Sequence, residues 1–235
     1  MLITSRPLDE YCRLFGLSRA ALRAVPGPVL DCPGGAAGLV AEARELGCKV
    51  VAADPAYAAG LPELLARAED ARHTMAAAMP AAPHRYLAER HRPYEKYLRS
   101  WDRARRLFAA DTAEHPGDYV AAALPRLPFA DGAFALTLSS YLLFAYPALF
   151  GPRAQLTALL ELVRVTAPGA EVLVHPLHDD RSRRTPHLDE LRFELGRRAV
   201  GSELRTVRRH ADGRRRYVLA LSRPARYRAV PWTNP

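Results

Sequence analysis

The sequence predicts an α/β fold: a doubly wound, Rossmann-like sheet of seven strands, mostly parallel, with a C-terminal antiparallel hairpin and helices on both faces. Three observations predict it. Short apolar runs alternate with stretches of helical periodicity, the pattern of strands joined by crossover helices. The run Val29-Leu-Asp31 leads through Cys-Pro-Gly-Gly into a helical stretch, and the next run ends on Asp54. The last two strand-like segments flank Ala211-Asp-Gly-Arg214, a turn that returns the chain antiparallel.

Residues 7–25 read as helical, with Leu8, Tyr11, Cys12, Phe15, Leu17 and Leu22 loosely at helical spacing. Ser18 is placed to cap a second turn, Arg19 to Ala24, and Pro26-Gly27-Pro28 breaks the chain. Strand one is Val29–Asp31, a helix follows over about 36–46, and strand two ends at Asp54. A helix over about 57–79 is ended by Pro80 and Pro83. Residues 84–116 are basic, aromatic and helical, with His84, Tyr86 and His91 at their start. Tyr94, Tyr97, Trp101 and Phe108 share one face, a packed face before a substrate platform. Strand three spans Tyr119–Leu124 and strand four Ala133–Ser139, with a proline-rich loop between them. Pro152 opens a helix to about Thr166, and Pro168-Gly169 ends it before strand five, Ala170–His175. A helix over about 187–200 precedes the hairpin strands 203–209 and 216–222. The chain is expected to be a single domain over residues 1–235, with a helical lid at 1–27 and a helical insertion at 80–117.

Composition narrows the class. With 49% hydrophobic residues the chain buries a real core, and no apolar run approaches the ~20 residues of a membrane span. Cys12, Cys32 and Cys48 form no Cys-x-x-Cys pair, so neither a disulfide framework nor a zinc site is expected. The N-terminus shows no signal-peptide core, and a cytoplasmic protein without a membrane partner is expected. The net charge of +9 lies wholly in residues 181–235, which hold fifteen Arg against five acids. That excess suits an anionic small-molecule substrate, a nucleic acid or a membrane surface. The compositional reading is stronger: Arg replaces Lys throughout, with Lys49 and Lys96 the only lysines, and no aromatic interleaving marks a nucleic-acid site.

The glycine loop carries the function. Gly34 and Gly35 lack Cβ and allow a sharp turn with close ligand approach. Asp54, nineteen positions after Gly35, stands where a carboxylate accepts from a ribose diol, so an adenosine-containing cofactor is expected. Gly35 and Gly38 also fit the last two glycines of Gly-x-Gly-x-x-Gly, but Pro33 occupies the first, against a nicotinamide enzyme.

Taken together, Val29-Leu-Asp-Cys-Pro-Gly-Gly35, Val51-Ala-Ala-Asp54, Arg126-Leu-Pro-Phe-Ala-Asp-Gly-Ala-Phe134 and Glu161-Leu-Val-Arg-Val-Thr-Ala-Pro-Gly169 resemble, in order, the motifs of class I S-adenosylmethionine-dependent methyltransferases of the small-molecule type. The resemblance spans about residues 28–222 and leaves the substrate unassigned. It implies S-adenosylmethionine as cofactor, held by Asp31, Cys32, Pro33, Gly34, Gly35, Asp54, Pro55, Leu124 and Ser139. The sequence departs from the family pattern at Pro33 and Ala37, which replace two glycines of the usual triplet. Ala123 stands where many relatives carry an Asp for the adenine amino group, and Ala135 replaces the usual Asp after Phe134.

Methyl transfer is an in-line displacement in which the protein positions the acceptor and keeps water out; a base is optional. Acceptor-side groups are expected at the C-terminal ends of strands four and five. His175 is a candidate general base and Ser140 a candidate polar contact. The cluster His175-Pro-Leu-His-Asp-Asp180 also admits a metal, but no metal site is expected from its spacing. Tyr11 either covers the cofactor or simply packs. The competing readings are a non-catalytic cofactor-binding or interaction protein on the same fold, motivated by the departures at Pro33, Ala123 and Ala135, and a nucleic-acid modifier driven by the basic C-terminus.

Overall fold

The chain is described by a computed structural model over residues 2–81, 94–179, 183–207 and 216–225. Seven strands form one sheet: β1 (Val29–Asp31), β2 (Val50–Ala53), β3 (Tyr119–Val120), β4 (Phe134–Ser140), β5 (Thr166–His175), β6 (Gly201–Val207) and β7 (Arg216–Ser222). Their order is β3-β2-β1-β4-β5-β7-β6. The first five strands run parallel, and β7 runs antiparallel to both β5 and β6. The C-terminal ends of β1, β2, β4 and β5 and the start of β7 therefore share one edge of the sheet.

Strand alternation builds two cores. Side chains point to opposite faces at successive positions. Leu30, Val172, Val174, Leu219 and Leu221 face the helices α6 (Pro152–Val165) and α7 (Leu188–Gly196). Val29, Leu173, Val218 and Ala220 face α1 (Leu8–Phe15), α2 (Arg19–Arg23) and α3 (Leu39–Glu45). The strands are apolar on both faces because both are covered, as a buried parallel sheet requires. Each fully buried Leu or Val contributes about 1.5–3 kcal/mol. A third cluster, Ile3, Ala36, Ala56, Leu64, Ala68 and Phe108, packs α4 (Leu61–Ala81) and α5 (Tyr94–Glu114) beside the ends of β1 and β2.

Several elements differ from the sequence expectation. The predicted helix over 7–25 divides at Gly16, whose φ of 68° ends α1 in the left-handed region. Ser18 then caps α2, accepting from the Ala21 N–H at 2.9 Å. α3 begins at Leu39 rather than near Ala36, because the Ala36 and Gly38 N–H groups donate to the carbonyls of Thr4 and Arg6 instead of joining a helix. The predicted helix over 57–79 becomes a 3₁₀ turn, Pro55–Ala59, followed by α4, with Gly60 at φ 81° between them. Pro80 lies inside α4 without ending it, since in the last turn it forfeits a single helical hydrogen bond. β3 is two residues rather than six, an edge strand that pairs on one side alone. β5 starts at Thr166, directly after α6, and its pairing with β4 shifts register between Phe134 and Leu136. α7 stops at Gly196, and the Val200 N–H closes back on the Leu195 carbonyl. The predicted helical start at 84–93 and the turn 211–214 lie outside the described residues.

Candidate functional site

A cavity of about 480 Å³ opens at the shared edge of the sheet. Its floor comes from strand ends: Pro33 and Gly35 after β1, Asp54 after β2, Ser140 and Tyr141 at the end of β4, Pro176 and His178 after β5, and Arg216 at the start of β7. The N-terminal segment supplies Leu2, Ile3, Thr4, Arg6 and Glu10, and α5 supplies Tyr97 and Trp101.

The loop after β1 is held from several sides. Gly34 N–H donates to the Ala53 carbonyl at 3.1 Å and Gly35 N–H to Asp54 Oδ2 at 2.9 Å. Ala36 and Gly38 donate to Thr4 and Arg6, each at 3.0 Å. Gly35 has φ 56°, and a Cβ there would lie 2.9 Å from the Thr4 carbonyl oxygen. The loop therefore needs glycine both for its dihedral and for the segment lying on it. The Tyr57 hydroxyl donates to the Gly35 carbonyl at 2.9 Å and fixes the loop from the β2 side.

Two buried acids stand behind this loop. Asp54 accepts from Gly35 and Ala56 N–H, one at each oxygen, both at 2.9 Å. Burial raises its carboxyl above the usual range, and the two N–H groups oppose the rise. Asp31 accepts from the Tyr11 hydroxyl at 2.7 Å through Oδ2, while Oδ1 is buried with no hydrogen-bond partner among the described residues. Burial pushes Asp31 up to about 8; the Tyr11 bond opposes this and the charge of Asp54 adds to it.

On the other side Arg6 and Glu10 form a buried ion pair, Nε to Oε1 at 3.0 Å. Glu10 also accepts from the Tyr97 hydroxyl at 2.9 Å and the Trp101 indole N–H at 3.1 Å. The Arg6 guanidinium lies 4.1 Å from the centroid of the Tyr141 ring. Tyr141 itself has φ 53°, a left-handed conformation rare for an aromatic residue and concentrated at functional sites.

The sequence-predicted residues divide. Pro33, Gly35, Asp54 and Ser140 line the cavity. Asp31 lies beneath it, joined to Tyr11. Cys32 turns into the core beside Leu30 and Ala53, and burial pushes its thiol up. Gly34 packs against Ala52 and Tyr57. Pro55 starts the 3₁₀ turn and is not on the cavity wall. Ser139 is buried with its hydroxyl unpartnered among the described residues. Leu124 lines a separate groove with Pro125, Phe150 and Pro152. His175 is buried, its Nδ1 3.4 Å from the Tyr217 carbonyl, and burial holds its pKa down at about 3, with the charge of His178 adding to the shift. No group of three metal-ligating side chains comes together among the described residues, and Asp180 lies outside them.

Sequence reasoning missed Arg6, Glu10, Tyr146 and Arg216 as cavity residues, and it named Tyr141 and His178 only as members of the runs that end strands four and five. The aromatic face of α5 signalled another part of this wall, and that face divides in use. Trp101 and Tyr97 reach the cavity, whereas Phe108 stacks on Tyr57 and meets Tyr119 edge-on.

No protein-family model matches the chain, nor does any curated protein. Solved structures do. A Burkholderia thailandensis 1,6-didemethyltoxoflavin-N1-methyltransferase with bound 1,6-didemethyltoxoflavin and S-adenosylhomocysteine is similar at 18% identity and TM-score 0.48, over 88% of this chain and 76% of that one. A magnesium protoporphyrin IX methyltransferase from Synechocystis PCC 6803 with bound S-adenosylmethionine matches at 11% identity and TM-score 0.47, over 92% and 77%. A geranyl diphosphate methyltransferase in complex with GPP and sinefungin matches at 10% identity and TM-score 0.44, over 92% and 76%.

Proposed function

We propose that this protein is an S-adenosylmethionine-dependent methyltransferase acting on a small or medium-sized acceptor. The observation that carries the reading is the pair of buried acids, Asp31 and Asp54, behind a glycine loop whose edge lines the cavity. Two carboxylates with one orphaned oxygen favour a cationic ligand, and S-adenosylmethionine carries a sulfonium and an ammonium. The residues fit the group. The two bonds Asp54 accepts use half of its four lone-pair sites, leaving the rest for a ribose diol. Asp31 Oδ1 is an acceptor without a donor. Pro33 and Gly35 line the wall beside Asp54.

When bound, the cofactor supplies the electrophilic methyl group and its leaving group. The chain's own residues do the rest. Ser140 and Tyr141 orient the acceptor from the end of β4. His178 faces the cavity where His175 does not. With its Nδ1–H given to the Asp179 carbonyl at 3.0 Å, His178 holds Nε2 ready to take a proton. The N-terminal segment and α5 exclude water, as the lid and insertion of the sequence reading would.

Titration with S-adenosylmethionine and S-adenosylhomocysteine by calorimetry, with NAD as control, tests this. Saturable micromolar binding, lost in Asp54→Ala and weakened in Asp54→Asn, is expected. A folded protein that binds neither compound at millimolar concentration overturns it. One observation favours the second reading, a non-catalytic module: the N–H groups of Gly34, Gly35, Ala36 and Gly38 are already engaged within the protein. That reading predicts no methyl transfer to any component of an extract.

A further inference from the structure

Arg216 is the arginine of the cavity wall that has no carboxylate partner among the described residues. The charged side chains on that wall are Arg6, Glu10, Asp54, Asp179 and Arg216. Glu10 neutralises Arg6 at 3.0 Å, and Asp179 pairs with Arg183 at 2.7 Å. The Arg216 Nε is buried and has no hydrogen-bond partner among the described residues. A guanidinium donor taken out of water without an acceptor is costly, so a structure that keeps one on a cavity wall provides for an acceptor from outside.

The topology sets that donor apart from the acids. Asp31 ends β1 and Asp54 directly follows β2, and Arg216 begins β7 at the same sheet edge because β7 runs antiparallel to β5. In the order β2-β1-β4-β5-β7 three strand intervals separate β1 from β7, about 14 Å at the usual spacing. The cavity thus has an acidic end at the glycine loop and a basic end at Arg216. Between them the wall is aromatic. Tyr97, Trp101, Tyr141 and Tyr146 all line it, and the Tyr97 and Trp101 ring centroids stand 5.5 Å apart. Rings of this kind hold a flat ligand through face and edge contacts.

We propose that the basic end is the acceptor subsite, and that it takes a planar aromatic compound bearing a carboxylate, the anion held by Arg216 and the ring by Trp101, Tyr97 and Tyr141. The assignment of this ligand as the methyl acceptor rests on the methyltransferase reading, whereas its binding does not. Guanidinium and carboxylate match as planar partners with two parallel hydrogen bonds, which a neutral isostere cannot make.

The test compares 4-hydroxybenzoate with the near-isosteric 4-hydroxybenzamide by NMR titration of the ligand signals against the full chain. The carboxylate is expected to bind at least about tenfold more tightly than the amide, a preference Arg216→Gln abolishes. Equal affinities overturn the proposal, as does absence of saturable carboxylate binding up to the solubility of the probe. An Arg216→Gln protein that folds and keeps the preference also overturns it. The comparison on the native chain stands even where the variant fails to fold. Calorimetry with S-adenosylhomocysteine on the same sample separates the two claims. Carboxylate preference without nucleoside binding removes the methyltransferase reading and keeps the subsite. Nucleoside binding without carboxylate preference does the reverse.

Discussion

The Tyr11 hydroxyl donates to Asp31 Oδ2 at 2.7 Å and joins the N-terminal helix to the end of the first strand. Both residues are almost wholly buried, at 1% exposure each. The contact makes α1 part of the site, because the carboxylate it satisfies lies directly before the glycine loop.

Tyr11→Phe leaves Asp31 with two unsatisfied oxygens in a dry setting. Loss of the bond costs roughly 1–3 kcal/mol, read as a lower midpoint in urea denaturation with unchanged m. An unchanged midpoint would show that the bond from Tyr11 to Asp31 contributes nothing to stability.

Asp31 gives stability a pH dependence whose sign follows from its shift. The carboxyl titrates at about 8 in the fold, against an ordinary value of 3.8. The folded chain then binds more protons than the unfolded one between those values, so the Asp31 contribution is full at acid pH and is lost as pH rises toward about 8. His175 runs the other way. Its pKa of about 3, against 6.5, makes its contribution full above 6.5 and lost as pH falls toward 3. Between pH 6.5 and 8 Asp31 therefore acts without His175, and Asp31→Asn is expected to flatten the fall in unfolding free energy there. Equal slopes in both proteins would rule out the raised carboxyl.

The same shift predicts proton release. A cation docking beside Asp31 ionises it, so binding of S-adenosylmethionine near pH 7 should expel a fraction of a proton. Calorimetry in buffers of different ionisation enthalpy reads this directly. A binding enthalpy independent of buffer would place the cation elsewhere.

Glu10→Ala strips three donors, Arg6, Tyr97 and Trp101, of their acceptor at once. Leaving a buried guanidinium uncompensated costs about 3–5 kcal/mol. The double variant Arg6→Met/Glu10→Leu removes both charges and should recover much of that loss. Equal destabilisation in the single and double variants would mean that the ion pair is not what matters.

Gly35→Ala places a methyl 2.9 Å from the Thr4 carbonyl at a residue with φ 56°. Left-handed backbone costs about 1–2 kcal/mol for a residue with Cβ, and the N-terminal segment must also move. Faster proteolysis within residues 2–6, with the remaining core intact, is the expected sign. An unaltered cleavage pattern would show that the segment is held by other contacts.

The sequence by itself determined the sheet, its two covered faces and the loop with its acid. Each of these is written locally: in short continuous apolar runs, in glycines that only a turn needs, and in Asp54 at a strand's end. The Ser18 cap and the helix opened by Pro152 were legible for the same reason, whereas the break at Gly16 was not read from the sequence. Only the tertiary structure decided what faces the cavity. His175 and His178 are three residues apart in the sequence, yet one sinks under the sheet edge and the other opens onto the cavity. Arg6 and Glu10 carry no local mark of the cavity, and it is α5 that brings Tyr97 and Trp101 against Glu10. Arg216 was one arginine among many in a basic tail. Its importance comes from β7 pairing antiparallel to β5, which sets it at the mouth of a cavity whose acids stand at the ends of strands far earlier in the chain. Long-range pairing has no local signature, because the free energy that selects it comes from surfaces buried together rather than from residues adjacent in the chain.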